Sequence, residues 1–178
     1  MAARKLLIVY GTTEGQTRKI AGFLAEEALG LNCPRDVYDA EMIPEDFQLS
    51  QYSNIIVAAS VHVERHQPSV AQFVKKHRLA LEKCETAFLS VSLSAAGDAE
   101  ERSEAWEYTR RFLSETEWRP TKVHIVAGAL RFSEHDFFKR WAMRRLAKEK
   151  RADRNSDHEY TNWPDLWRFL KDFLGPAL

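Results

Sequence analysis

At 178 residues the chain has the length of one domain, and its 44% hydrophobic residues suffice for a full core. Lys and Arg total 26 and Asp and Glu total 26, so the formal charge is zero, which speaks against nucleic-acid binding by bulk positive charge. No apolar run approaches the roughly eighteen residues that a membrane-spanning helix needs.

The first element is a short apolar run, Leu6–Tyr10, closed by Gly11-Thr12-Thr13-Glu14-Gly15-Gln16-Thr17. A run too short for a helix, ended by glycine and hydroxyl residues, reads as a buried parallel strand. The run is also too short, and lacks the small-residue cleavage site, for a secretory signal. From Gln16 to Leu29 the apolar residues stand at 20, 21, 24, 25, 28 and 29, which is helical spacing. The turn between strand and helix thus places three threonines and two glycines at a helix N-terminus. Free N–H groups and the positive end of the helix dipole favour an anion there. The spacing matches neither G-x-x-x-x-G-K-[ST] nor G-x-G-x-x-G, so a terminal phosphate monoester suits the turn better than a triphosphate or pyrophosphate. The plain alternative is an ordinary N-cap by Thr12 or Thr13 with no ligand.

Further along, Arg35–Tyr38 is a short strand and Tyr52–Ser60 a stronger one, holding Ile55-Ile56-Val57-Ala58-Ala59. Pro68 opens a helix to about Leu81, with Val70, Ala71, Phe73, Val74, His77 and Leu81 on its inner side. Ala87–Leu93 is a strand, Glu101–Leu113 a helix carrying Trp106 and Phe112, and Val123–Ala129 a fifth strand. Cys33 and Cys84 stand alone without metal-ligand spacing, which predicts buried or incidental thiols in a reducing compartment and no metal site.

Strands alternating with helices give an α/β fold: a doubly wound five-stranded parallel sheet with helices on both faces, in the order 2-1-3-4-5. A ligand then sits outside the carboxyl ends of strands 1, 3 and 4. The loops there are Ser60-Val61-His62-Val63-Glu64-Arg65-His66 and Ser92-Leu93-Ser94-Ala95-Ala96-Gly97-Asp98. Both are rich in small and hydroxyl residues, which lets backbone groups reach the polar edge of a planar ring. Neither holds Trp, Tyr or Phe, so one ring face is expected to stay open for a substrate.

Beyond strand 5, about thirty residues precede the last helix, an insertion over 131–160 within one domain spanning 1–178. Asp136–Lys150 has helical spacing, with Phe137, Phe138, Trp141, Ala142 and Leu146 on one side. Residues 131–155 carry nine Lys/Arg against four Asp/Glu, a local excess of five in a neutral chain. Such a helix suits an anionic membrane surface, and it equally suits packing on its own domain with a solvated basic face. After a polar loop over 151–158, Asn162-Trp163-Pro164-Asp165 opens a final helix to about Leu174, whose Trp167, Leu170, Phe173 and Leu174 read as core.

Thr12-x-x-Gly15-Gln16-Thr17 directly after the first strand resembles the flavodoxin phosphate loop, departing from it at Glu14, where a hydroxyl residue is usual. A wider set of motifs is similar to one family, the menaquinone-dependent protoporphyrinogen IX dehydrogenases of bacterial haem synthesis. In chain order these are Gly15-Gln16-Thr17-Arg18-x-Ile20-Ala21, Ala59-Ser60, Phe73-Val74-Lys75-Lys76-His77, Trp118-Arg119-Pro120, Ala127-Gly128-Ala129-Leu130-Arg131 and Tyr160-Thr161-x-Trp163. The chain departs from that family after Ser60, with His62 and Val63 where an arginine and a tyrosine are usual.

The resemblance implies a peripheral flavoenzyme on the inner face of the cell membrane, cytoplasmic in location. It would oxidise protoporphyrinogen IX to protoporphyrin IX and pass electrons to menaquinone or ubiquinone. The cofactor implied is FMN, and with the chemistry on the flavin no dedicated catalytic side chain is expected. Thr12, Thr13, Glu14, Gly15, Gln16 and Thr17 would hold the phosphate, Glu14 through its backbone. Ser60, Val61, His62, Val63, Ser92, Leu93, Ser94 and Gly97 would border the ring. Arg131, Arg140, Trp141 and Arg144 would meet substrate propionates or lipid headgroups. A soluble flavodoxin-type electron carrier, an NAD(P)H-linked quinone reductase, and a binding domain that has lost its flavin are the alternatives.

Overall fold

The computed structural model describes residues 5–130 and 158–175. Strand β1 (Leu6–Gly11) enters helix α1 (Gln16–Gly30) through the hydroxyl-rich turn. Strand β2 (Arg35–Asp39) follows, then β3 (Asn54–His62), the two-residue strand β4 (Arg65–His66) and helix α2 (Pro68–Leu81). Strand β5 (Glu85–Ser92) leads through a 3-10 turn at Ser94–Ala96 to α3 (Ala99–Thr116), and β6 is Lys122–Ala127. Two short strands, β7 (Ala129–Leu130) and β8 (His158–Glu159), precede α4 (Trp163–Leu174).

The sheet order is β2-β1-β3-β5-β6, all neighbours parallel, so the five strands expected lie in the order expected. The sheet nevertheless has six strands: β4 folds back antiparallel on the end of β3, pairing Val61 with His66 and His62 with Arg65. Two pairs are too few for a hydrophobic alternation, so this hairpin leaves no periodic mark in the sequence.

Alternation along each strand divides the core. Leu6 and Ile8 of β1, Ile56 and Ala58 of β3 and Leu89 and Val91 of β5 face α1 and α4, packing on Ile20, Leu24, Leu166 and Leu170. Their neighbours Leu7, Val9, Ile55, Val57 and Phe88 face α2 and α3, meeting Val70, Phe73, Val74 and Phe112. Helices therefore cover both faces of the sheet, as parallel strands buried on both sides require.

Local departures have simple causes. Helix α3 starts two residues earlier than its apolar pattern suggests, because Asp98 accepts from the N–H groups of Glu100 and Glu101 while the Glu101 side chain accepts from Asp98 N–H. Leu29 ends α1 exposed, and Trp106 on α3 is exposed although Phe112 is buried. Trp167, expected in the core, is 38% exposed and lies under the Lys171 ammonium at 4.4 Å. The helix expected over 136–150 lies outside the described residues.

Candidate functional site

Four parallel strands end on one edge of the sheet: β1 at Gly11, β3 at His62, β5 at Ser92 and β6 at Ala127. A shallow cleft opens there, lined by Thr12, Thr13, Glu14, Gln16, Ser60, Val61, Val91, Ser92, Leu93, Gly128 and Ala129. Eight of the residues expected around a cofactor meet in it. Val91, Gly128 and Ala129 join them; strand topology puts the end of β6 beside Ser92, and the hydrogen bond from Gly128 N–H to Ser92 O (3.0 Å) fixes the approach.

The threonines do not cap the helix. The N-cap of α1 is Gly15, in the left-handed region at φ 85° and without a side-chain cap, a conformation that favours glycine. Thr12 instead accepts from Gly15 N–H at 2.9 Å, closing the loop on itself. Neither Thr12 nor Thr13 is therefore the cap of α1. Beneath it Thr17 is fully buried, and its hydroxyl has no partner among the described residues. The Gln16 carbonyl oxygen is in the same condition, while its amide donates to Thr161 Oγ1 at 2.9 Å. A buried hydroxyl left unpaired costs free energy, and one at a helix start beside first-turn amides is placed to donate to an anion. The loop therefore fits a phosphate monoester.

Gln67, which spacing could not single out, fixes the loop from outside. Its amide nitrogen donates to Thr13 Oγ1 at 3.0 Å and also to Ser60 Oγ, joining the β1 loop to the end of β3. Each hydroxyl accepts that bond and keeps its own proton for the cleft. On the other flank the Lys19 ammonium holds the Glu159 carboxyl below its ordinary value, and Trp163 Nε1 adds a hydrogen bond at 2.8 Å. Glu14 lines the cleft half-buried and is the one ionisable side chain among the described residues of that lining.

Other expected residues stand apart from the cleft. Ser94 is buried in the 3-10 turn, whose entry Ser92 stabilises by accepting from Ala95 N–H at 3.2 Å. Gly97 packs under the capping box, where a Cβ would meet the Glu101 carboxylate at 2.1 Å; its glycine serves the start of α3. His62 and Val63 form the far rim and line a second, larger cavity of about 690 Å³ between the β3–β4 hairpin, α2 and α3. Val63 and Glu64, the two residues of that turn, both have positive φ, 47° and 62°. Arg131, Arg140, Trp141 and Arg144 lie outside the described residues.

Within that hairpin His66 is buried, with Nε2 2.9 Å from Ser90 Oγ and its ring against Phe88 and Phe112. Burial pushes its pKa down to about 3, so the ring is neutral at physiological pH. No group of three or more His, Cys, Asp or Glu placed to hold a metal occurs among the described residues. Among them, too, no helix is long and apolar enough to cross a membrane.

Residues 7–157 match the flavodoxin domain family. The protoporphyrinogen IX dehydrogenase [quinone] of Escherichia coli K12 is 31% identical over 170 residues, covering 94% of this chain and 93% of that protein. Among solved structures, oxidised flavodoxin 1 from Bacillus cereus superposes with a TM-score of 0.57 at 16% identity, covering 96% of this chain and 97% of that one. A flavoprotein in complex with FMN from Lactobacillus acidophilus NCFM gives a TM-score of 0.51 at 14% identity, covering 69% of this chain and 93% of that one. Both share the fold described above.

Proposed function

Because the chain belongs to the flavodoxin domain family and, within it, with the quinone-dependent protoporphyrinogen IX dehydrogenases, we infer that it oxidises protoporphyrinogen IX and delivers the electrons to a quinone. The observation that carries this reading is extent: the identity runs through 94% of the chain, well beyond the phosphate loop. FMN is the cofactor, and when bound it supplies the two-electron redox chemistry.

The side chains of this protein bind and orient. Thr12, Thr13, Gly15, Gln16 and Thr17 hold the phosphate, with Glu14 adding its backbone. Ser60, Val61, Ser92 and Leu93 border the ring, together with His62 and Val63 from the hairpin rim. Ser94 and Gly97 act behind them, by shaping the loop after β5. Among the described residues the cleft lining holds no aromatic side chain, which favours an open ring face for a substrate over a covered one.

The basic segment over 131–155 is proposed to hold the protein at an anionic membrane surface on the cytoplasmic side, where a lipid-soluble quinone is reached. Each of Arg131, Arg140 and Arg144 would add about 1 kcal/mol there, with Trp141 as an interfacial anchor. The single-domain reading of 1–178, with 131–160 as an insertion, is part of the same proposal.

The direct test supplies the flavin-loaded protein with protoporphyrinogen IX and a menaquinone analogue without oxygen. Quinone-dependent growth of porphyrin fluorescence over a no-enzyme control is expected. A yellow, flavin-replete protein that yields no porphyrin would sink the reading and return the electron-carrier or NAD(P)H-linked alternative.

A further inference from the structure

Protoporphyrinogen IX carries two propionate carboxylates, and among the described residues lining the flavin cleft the one ionisable side chain is Glu14, which repels them. Cations gather in the adjoining cavity of about 690 Å³, a size within the ordinary range for small-molecule sites. Arg65 from the hairpin, Lys75 from α2 and Arg111 from α3 line it, against two carboxylates, Glu64 and Glu115.

Those carboxylates leave the cations available. Arg65 reaches Glu115 only at 3.8 Å. Arg111 donates to the backbone carbonyl of Glu64 at 3.4 Å, a long bond that leaves most of its guanidinium donors for a ligand. Lys75 is exposed and pairs with no carboxylate among the described residues. Between these charges the cavity is lined by Val63, Pro68, Ala71 and Phe112, apolar surface suited to a macrocycle. Burial and the nearby Glu104 and Glu64 raise the Tyr108 pKa, so its phenol remains a donor at the same wall. The cavity meets the flavin cleft at Thr13, which lines both, and His62 stands on the shared rim.

We propose that the cavity between the β3–β4 hairpin, α2 and α3 receives the carboxylates of the tetrapyrrole substrate through Lys75, Arg111 and Arg65. The macrocycle then extends over the Val63 rim toward the cleft. The proposal rests on the dehydrogenase reading and narrows it: substrate acids belong to this cavity, which leaves Arg140 and Arg144 to lipid headgroups.

The test measures binding of protoporphyrin IX and of its dimethyl ester to the flavin-loaded protein by porphyrin fluorescence. FMN uptake serves as the check on folding of every variant. The wild-type protein is expected to prefer the diacid by about tenfold, two partly exposed charge-assisted contacts. Lys75→Ala combined with Arg111→Ala should remove that preference and leave ester binding as it was. Arg140→Ala combined with Arg144→Ala should keep the preference and lose sedimentation with anionic vesicles of phosphatidylglycerol and phosphatidylcholine. A wild-type protein that turns over porphyrinogen, with a Lys75/Arg111 variant that still prefers the diacid, would overturn the cavity and spare the dehydrogenase. A flavin-loaded wild-type protein that neither oxidises porphyrinogen nor binds porphyrin would overturn both.

Discussion

The side-chain amide of Gln16 donates to Thr161 Oγ1 at 2.9 Å, across 145 positions of sequence. Thr161 Oγ1 in turn donates to Ala127 O at 2.7 Å, so the phosphate loop, the end of β6 and the entry of α4 form one buried chain of hydrogen bonds. Thr161→Val keeps the shape and removes both bonds, taking an acceptor from the Gln16 amide and a donor from the Ala127 carbonyl. Urea unfolding of the flavin-free protein should show a loss of about 1–3 kcal/mol. Flavin affinity should fall with it, because Gln16 is held less firmly under the loop.

Thr17 predicts the opposite balance. Its buried hydroxyl has no partner among the described residues, so Thr17→Val costs the flavin-free protein little and stabilises it where the desolvated hydroxyl was a burden. Toward FMN the same change removes a hydrogen bond to a charged phosphate, worth about 1.5–3 kcal/mol, or roughly a ten- to hundredfold weaker affinity. Quenching of flavin fluorescence on titration reads the second effect and urea unfolding the first. Equal FMN affinity in Thr17→Val would remove Thr17 from the phosphate site.

How much of this was legible depended on the range of the interaction. The phosphate loop reads from sequence because its chemistry is packed into six consecutive positions, Thr12 to Thr17, beside a strand and a helix of clear period. Gln67 escaped, since a glutamine before a helix-opening proline carries no pattern and its two bonds to Thr13 and Ser60 come from the fold. Gly128 and Ala129 enter the cleft only because β6 pairs with β5, and Thr161 reaches Gln16 and Ala127 only because α4 returns to the sheet. Gly97 owes its glycine to a neighbour that its loop composition does not reveal. It sits in a loop of suitable composition, yet its missing Cβ makes room for Glu101 in the capping box.

His66 makes acid stability measurable at one side chain. Its ring is buried against Phe88 and Phe112, and burial lowers its pKa from 6.5 to about 3. Below pH 6.5 the unfolded chain therefore binds a proton that the folded protein refuses. Stability attributable to the neutral ring is full above that pH and declines as pH falls toward 3, by up to about 1.4 kcal/mol per pH unit. His66→Gln keeps a polar group near Ser90 and removes the titration. Its unfolding free energy should start lower at pH 7.5 and fall less steeply between pH 6 and 4 than that of the wild type, measured in parallel urea series. Parallel pH slopes for the two proteins would show that His66 is protonated in the folded state.

The β3–β4 turn stores strain where the cleft and the cavity meet. Val63 and Glu64 hold φ at 47° and 62° between the paired residues His62 and Arg65. A two-residue hairpin turn with both central residues at positive φ favours Asn-Gly, and a β-branched residue is poorly suited to it. Val63→Asn with Glu64→Gly should stabilise the protein by about 1–2 kcal/mol. Nothing in the core repacks, because Val63 is 54% exposed. If the strained valine is kept for its apolar contact with substrate, the same variant should bind the porphyrin dimethyl ester more weakly while its FMN affinity holds. Thermal unfolding gives the first quantity and porphyrin fluorescence the second. A variant that is more stable and binds the ester as well as the wild type would leave Val63 no part in the site, and its strain would then need another cause.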